Sequence, residues 1–87
     1  MTLVLVVEDN AVNRDVLGRR LERRGYTVRF AVDGPTGIQA AQDLSPDLIL
    51  MDIQMPIMDG LTTAKTRRQI EINDDLEYIP IIALTAG

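Results

Sequence analysis

Three features of the sequence predict an α/β fold built on a parallel sheet with helices on both faces. Strand-like and helix-like segments alternate through all 87 residues in the order β-α-β-α-β-α-β. The runs LVLVV (3–7), DLILM (47–51) and PIIALT (80–85) are almost continuously apolar. Such runs suit strands buried on both faces, where an exposed face would impose alternation. Finally, acids follow two of these runs: Glu8 and Asp9 the first, Asp52 the second.

Each element has a local reason. After LVLVV, Asn10 is placed to cap a helix of about residues 11–24. Leu17 and Leu21 lie one turn apart on it with Val16 beside them, Arg19 and Arg23 share the other side, and Gly25 stops it. YTVRFA (26–31) alternates like a strand with one less buried face. Asp33-Gly34-Pro35 breaks the chain, and Pro35 suits the first turn of a second helix that runs to about Leu44 and ends at Ser45-Pro46. Gly34 and Gly37 read as turn glycines. Beyond the third strand, Asp59 is a good cap for a third helix of about 60–71. INDDLEY (72–78) is a polar loop before the fourth strand. Without repeats, low-complexity tracts or a linker, residues 1–87 form one small domain.

Composition narrows the chemistry. Hydrophobic residues make up 46% and charged residues 25%, the balance of a soluble globular protein. There is no cysteine and no histidine, which removes disulfides, thiolate sites, the commonest general base and a common metal ligand. The first apolar run is too short for a signal peptide or a membrane span, so a cytoplasmic protein is expected. The net charge of −4 hides a basic segment: Arg14, Arg19, Arg20, Arg23, Arg24 and Arg29 face only Asp15 and Glu22. No aromatic residue interleaves with the arginines between 14 and 24, so a solvated helix face is the simpler reading and nucleic acid is not an expected partner.

In parallel α/β sheets, ligands bind beyond the carboxyl ends of the strands. Asp52, the pair Glu8-Asp9 and Thr85 all stand at such ends. If the first, third and fourth strands are neighbours, three carboxylates and a hydroxyl converge. At about 4 Å and an effective dielectric near 20, one pair of like charges costs on the order of 4 kcal/mol. A divalent cation is the natural compensation, and an all-oxygen donor set suits Mg²⁺. A carboxylate beside Mg²⁺ can attack phosphorus to give an aspartyl phosphate. Thr85 can donate to a phosphoryl oxygen, and the small Ala86 leaves its N–H approachable. Singly, each piece is ordinary: a polar loop start, a solvated strand end, a strand threonine. The phosphate-binding pattern G-x-x-x-x-G-K-[ST] is absent.

VVEDNAVNR (6–14), PDLILMDIQMPIMDG (46–60) and IPIIALTAG (79–87) occur in the order of an acidic-pair motif, a phosphoacceptor motif and a switch-threonine strand. On these residues the chain resembles the receiver domain of two-component response regulators. The resemblance implies a flavodoxin-like (CheY-like) sheet of order 2-1-3-4-5, here truncated after the fourth strand and lacking α4-β5-α5. It implies that Asp52 takes a phosphoryl group from a histidine kinase or phosphotransfer protein. It also implies that Asp9, Asp52 and the Gln54 carbonyl bind Mg²⁺, with Glu8 acting largely through water, and that Thr85 and the Ala86 N–H meet the phosphoryl group. The protein would then be a phosphorelay signalling domain and no enzyme, beyond self-phosphorylation and self-dephosphorylation. The family's fifth-strand lysine has no counterpart, since Lys65, the only lysine, falls in the third helix.

Two alternatives accompany this reading. One is an inert fragment that keeps the motifs without signalling. The other is a haloacid-dehalogenase-type phosphatase, which carries a second acid where this chain has Gln54. A last expectation concerns assembly. The fourth strand would lie at the sheet edge with Ile81, Ile82 and Leu84 apolar and uncharged, which predicts a homodimer through that region and no membrane partner.

Overall fold

A computed structural model of the chain describes residues 2–52, 60–74 and 76–84. The elements are β1 (Leu3–Val7), α1 (Ala11–Arg23), β2 (Thr27–Ala31), α2 (Gly34–Leu44), β3 (Leu48–Asp52), α3 (Gly60–Asn73) and β4 (Ile81–Leu84). All strand pairs are parallel, in the order β2-β1-β3-β4. The first, third and fourth strands are therefore neighbours, as the convergence of their acidic ends requires. Among the described residues, no helix is long and apolar enough to cross a membrane.

β1 lies between β2 and β3, and Val4 to Val7 are fully buried. Its side chains divide by parity between two apolar clusters. Leu5 and Val7 join Ala31, Ala41, Ile49, Met51 and Ile79 on one face. Val4 and Val6 join Val28, Leu17, Leu21, Leu48 and Leu50 on the other. α1 thus covers one face through Leu17 and Leu21, and α2 covers the opposite face through Ala41. Val16, expected beside the two leucines, is 42% exposed.

The helix ends follow local chemistry. Asn10 Oδ1 accepts from the Asn13 N–H at 3.0 Å. Gly25, with φ of 90°, turns the chain out of α1 in a conformation that disfavours a side chain. Asp33 and Thr36 form a reciprocal capping box at the start of α2, and Ser45 closes it in the left-handed region. Gly34 and Gly37 are helical rather than turn residues. A Cβ on Gly37 would stand 2.9 Å from Val7 Cγ2, so close packing of α2 on β1 explains this glycine. The expected cap at Asp59 lies outside the described residues.

Candidate functional site

Two adjacent strands, β1 and β3, deliver the acids. Val7 pairs with Met51, so Glu8 and Asp52 follow adjacent strands at one level of the sheet. Asp52 in turn lies opposite Leu84 on β4. Glu8 and Asp52 are buried and Asp9 is exposed. One carboxylate oxygen from each of the three lies within 4.8 Å of the others. Thr85, Ala86 and Gln54, the other residues expected at the site, lie outside the described residues.

The acidic turn is fixed by its own hydrogen bonds. The Glu8 N–H donates to the Ala31 carbonyl at 3.0 Å, tying the turn to β2. The Asn10 N–H donates to Glu8 Oε1 at 3.1 Å. Arg14 Nη1 donates to the carbonyls of Glu8 and Asp9, at 2.9 and 3.0 Å. Burial pushes the Glu8 carboxyl above its ordinary range. The Asn10 N–H opposes that, while the Asp52 charge and contacts with Asp9 and Asp52 add to it. The net upward direction marks a site short of positive charge.

This donor set fits Mg²⁺. It consists of hard carboxylate oxygens, with no nitrogen or sulfur ligand that would favour zinc or copper. A cavity of about 590 Å³ lies elsewhere, near the start of β4, lined among others by Pro46, Arg67, Glu77, Tyr78 and Pro80. Volume alone points to that cavity. Convergent acids at the carboxyl ends of two adjacent strands, β1 and β3, are the stronger chemical signal.

The arginines divide in a way their sequence clustering did not show. Arg19, Arg20, Arg23, Arg24 and Arg29 are exposed, as a solvated face requires. Arg14 instead turns back onto the acidic turn. The signal was its position in the first turn of α1, because helical side chains lean toward the helix N-terminus.

Known proteins share both the sequence and the fold. Hybrid signal transduction histidine kinase M of Dictyostelium discoideum is 41% identical over 85 residues, spanning 95% of this chain but 4% of that protein. The chemotaxis protein CheY4 of Vibrio cholerae superposes with a TM-score of 0.87 at 31% identity, covering 100% of this chain and 70% of that one. TrrA of Thermotoga maritima, solved in complex with Mg(2+)-BeF, has a TM-score of 0.86 at 31% identity, covering 100% and 71%. The chain spans only 4–5% of the first three curated relatives it matches. Residues 4–87 match the response regulator receiver domain, and with the parallel β2-β1-β3-β4 sheet this settles the fold as flavodoxin-like and CheY-like. The chain belongs to the response regulator receiver domain family of two-component phosphorelay systems.

Proposed function

We propose that Asp52 accepts a phosphoryl group from the phosphohistidine of a histidine kinase or phosphotransfer protein, at a site that holds Mg²⁺. One observation carries this reading: Asp52 ends a buried inner strand within 4.8 Å of both members of the acidic pair. In the step, an Asp52 carboxylate oxygen attacks phosphorus and the phosphorus–nitrogen bond breaks. The leaving imidazole keeps the electron pair and takes up a proton. Glu8, Asp9 and Asp52 would hold the metal, joined by the Gln54 carbonyl. When bound, the ion supplies positive charge to the phosphoryl oxygens. Thr85 and the Ala86 N–H are the proposed contacts to those oxygens. A cytoplasmic site of action belongs to the same reading.

Mass mapping after incubation with acetyl phosphate and Mg²⁺ tests it. The phosphoryl group should appear on Asp52 and vanish in Asp52→Asn. A label on Glu8 or Asp59 would reassign the acceptor, and no label would favour the inert-fragment alternative. The phosphatase alternative finds no support among the related proteins.

A second reading concerns assembly. On the α1 side of the sheet, Leu50 pairs with Ile82, and Ile82 is 51% exposed at the edge strand. We propose that a second copy of the chain covers β4, with two-fold symmetry. Light scattering over a dilution series should show a dimer. A folded monomer at micromolar concentration would end this reading.

A further inference from the structure

We infer that Arg14 is a positioning residue that sets the metal affinity of the acidic turn. This rests on the reading of Glu8, Asp9 and Asp52 as the Mg²⁺ ligands. A single guanidinium nitrogen bridges the carbonyls of Glu8 and Asp9, at 2.9 and 3.0 Å. These two residues carry two of the three ligand carboxylates. Their carbonyls stand between β1 and α1, and both accept from Arg14 Nη1. The fixed points around them are the Glu8 N–H on Ala31, the Asn10 side chain capping Asn13, and the Asn10 N–H on Glu8 Oε1. Arg14 is anchored in the same turn of helix, since its own N–H donates to the Asn10 carbonyl at 3.0 Å. Its side chain therefore closes a loop from α1 back to the residues that bear the carboxylates. Both bonds are charge-assisted, which strengthens them relative to neutral ones; the one to Glu8 is partly buried and the one to Asp9 is exposed.

The arginine has two effects of opposite sign. Its positive charge, close to the site, disfavours a second cation. Its two hydrogen bonds hold the carboxylates in place, so that the ion need not order them. Outer-sphere partners that orient ligands typically change metal affinity 10–100-fold. The charge effect runs through water-accessible surroundings and is weaker. Positioning therefore wins, and removal of Arg14 weakens Mg²⁺ binding although it removes a repelling charge.

The test is calorimetric titration of the 87-residue chain with Mg²⁺, for the wild type, Arg14→Gln, Arg14→Lys and Asp52→Asn. Arg14→Gln should weaken binding about tenfold. Arg14→Lys, which keeps the charge and a shorter donor, should fall between the two. Amide exchange of the metal-free protein gives a readout independent of the ion. The Asn10 N–H should exchange faster in Arg14→Gln while the β1 amides stay unchanged. Should Arg14→Gln bind Mg²⁺ as tightly as wild type, or more tightly, the inference falls and the ligand assignment stands. Absence of Mg²⁺ binding by the wild type, or an unchanged response in Asp52→Asn, would overturn the ligand assignment and this inference with it. General loss of β1 protection in Arg14→Gln would assign the residue to fold stability and also overturn it.

Discussion

Glu8 and Glu71 are both buried carboxylates, 5% and 6% exposed, at different sites in one small domain. Their surroundings push them in opposite directions. Burial raises the Glu71 carboxyl too, but Arg68, the Ile79 N–H and Arg67 outweigh it and hold it below its ordinary value. Arg67 Nε and Arg68 Nη1 reach it at 3.0 and 2.6 Å, and the Ile79 N–H at 3.2 Å. Glu8 receives one backbone N–H, and the carboxylates of Asp9 and Asp52 lie within 4.8 Å of its own. A buried acid whose hydrogen-bonding capacity is filled by donors serves the fold. A buried acid set among other acids has its charged form disfavoured, which is the property that the proposed cation would relieve. Glu71 ties α3 to the segment that enters β4, and Glu8 stands just past the carboxyl end of β1.

The largest expected effect tests the saturated acid. Glu71→Ala leaves Arg67 buried without its ion-pair partner, and breaking such a pair costs about 3–5 kcal/mol. Against a total stability of about 5–15 kcal/mol for a small domain, urea denaturation should show a chain close to unfolding. The pH dependence carries the same sign. Because the folded-state carboxyl lies below its ordinary 4.5, its contribution is complete above that pH and is lost as the pH falls below it. Glu71→Gln should flatten that acid limb. A neutral Glu71→Ala would erase the contrast between the two acids.

This half of the comparison was not legible in the sequence. The buried face of α3 runs through Thr63, Arg67 and Glu71, spaced four residues apart, while Leu61 and Ile72 are exposed. Apolar periodicity identifies helices by the reverse pattern, so two charged residues at i and i+4 read as a surface pair. Nothing local announces that the segment ending at Ile79 folds over them. Arg67 Nη1, which has no hydrogen-bond partner among the described residues, belongs to a residue that lines the 590 Å³ cavity, where solvent can serve it. The other half was legible because it depends on strand ends. The apolar runs LVLVV and DLILM fix buried inner strands, whereas the equally apolar β4 is a half-exposed edge strand because nothing pairs with its outer side among the described residues, and the rule that sites form at carboxyl ends needs only the strand order. The helix cap at Asn10 was equally local. Gly37 was misread because its reason, contact with Val7, is tertiary.

The next effect tests the acidic cluster. Asp52→Asn removes one charge from the cluster and should raise metal-free stability by about 1 kcal/mol, well below the bare pairwise repulsion because Asp9 is exposed to solvent. For a domain of this size that is about 4–8 °C in melting temperature. Wild type should gain about 2.7 kcal/mol at a hundredfold excess of Mg²⁺ over its dissociation constant, and Asp52→Asn should gain less. Scanning calorimetry of both proteins, with and without millimolar Mg²⁺, checks the crossing. Identical melting in all conditions would mean that Glu8 and its neighbours are as satisfied as Glu71, and the contrast would fail at this end.

The smallest effect sharpens the contrast by separating charge from packing around Glu71. The Arg68 guanidinium lies 3.9 Å from the centroid of the Tyr78 ring while one of its nitrogens holds Glu71 Oε1. The ring is largely exposed, so the cation–π contact is worth about 0.5–1 kcal/mol. Tyr78→Leu should cost about that much, and Tyr78→Phe, which keeps the ring face, close to nothing. Both can be read from urea midpoints at pH 7. The ranking is the point: Glu71 is held by two guanidiniums and one N–H, so loosening one guanidinium from its aromatic support leaves the carboxylate paired. A Tyr78→Leu cost as large as that of Glu71→Ala would show the opposite, that the aromatic cover fixes the loop and the ion pairs merely follow. Glu71 would then no longer be the fully compensated acid against which Glu8 is measured.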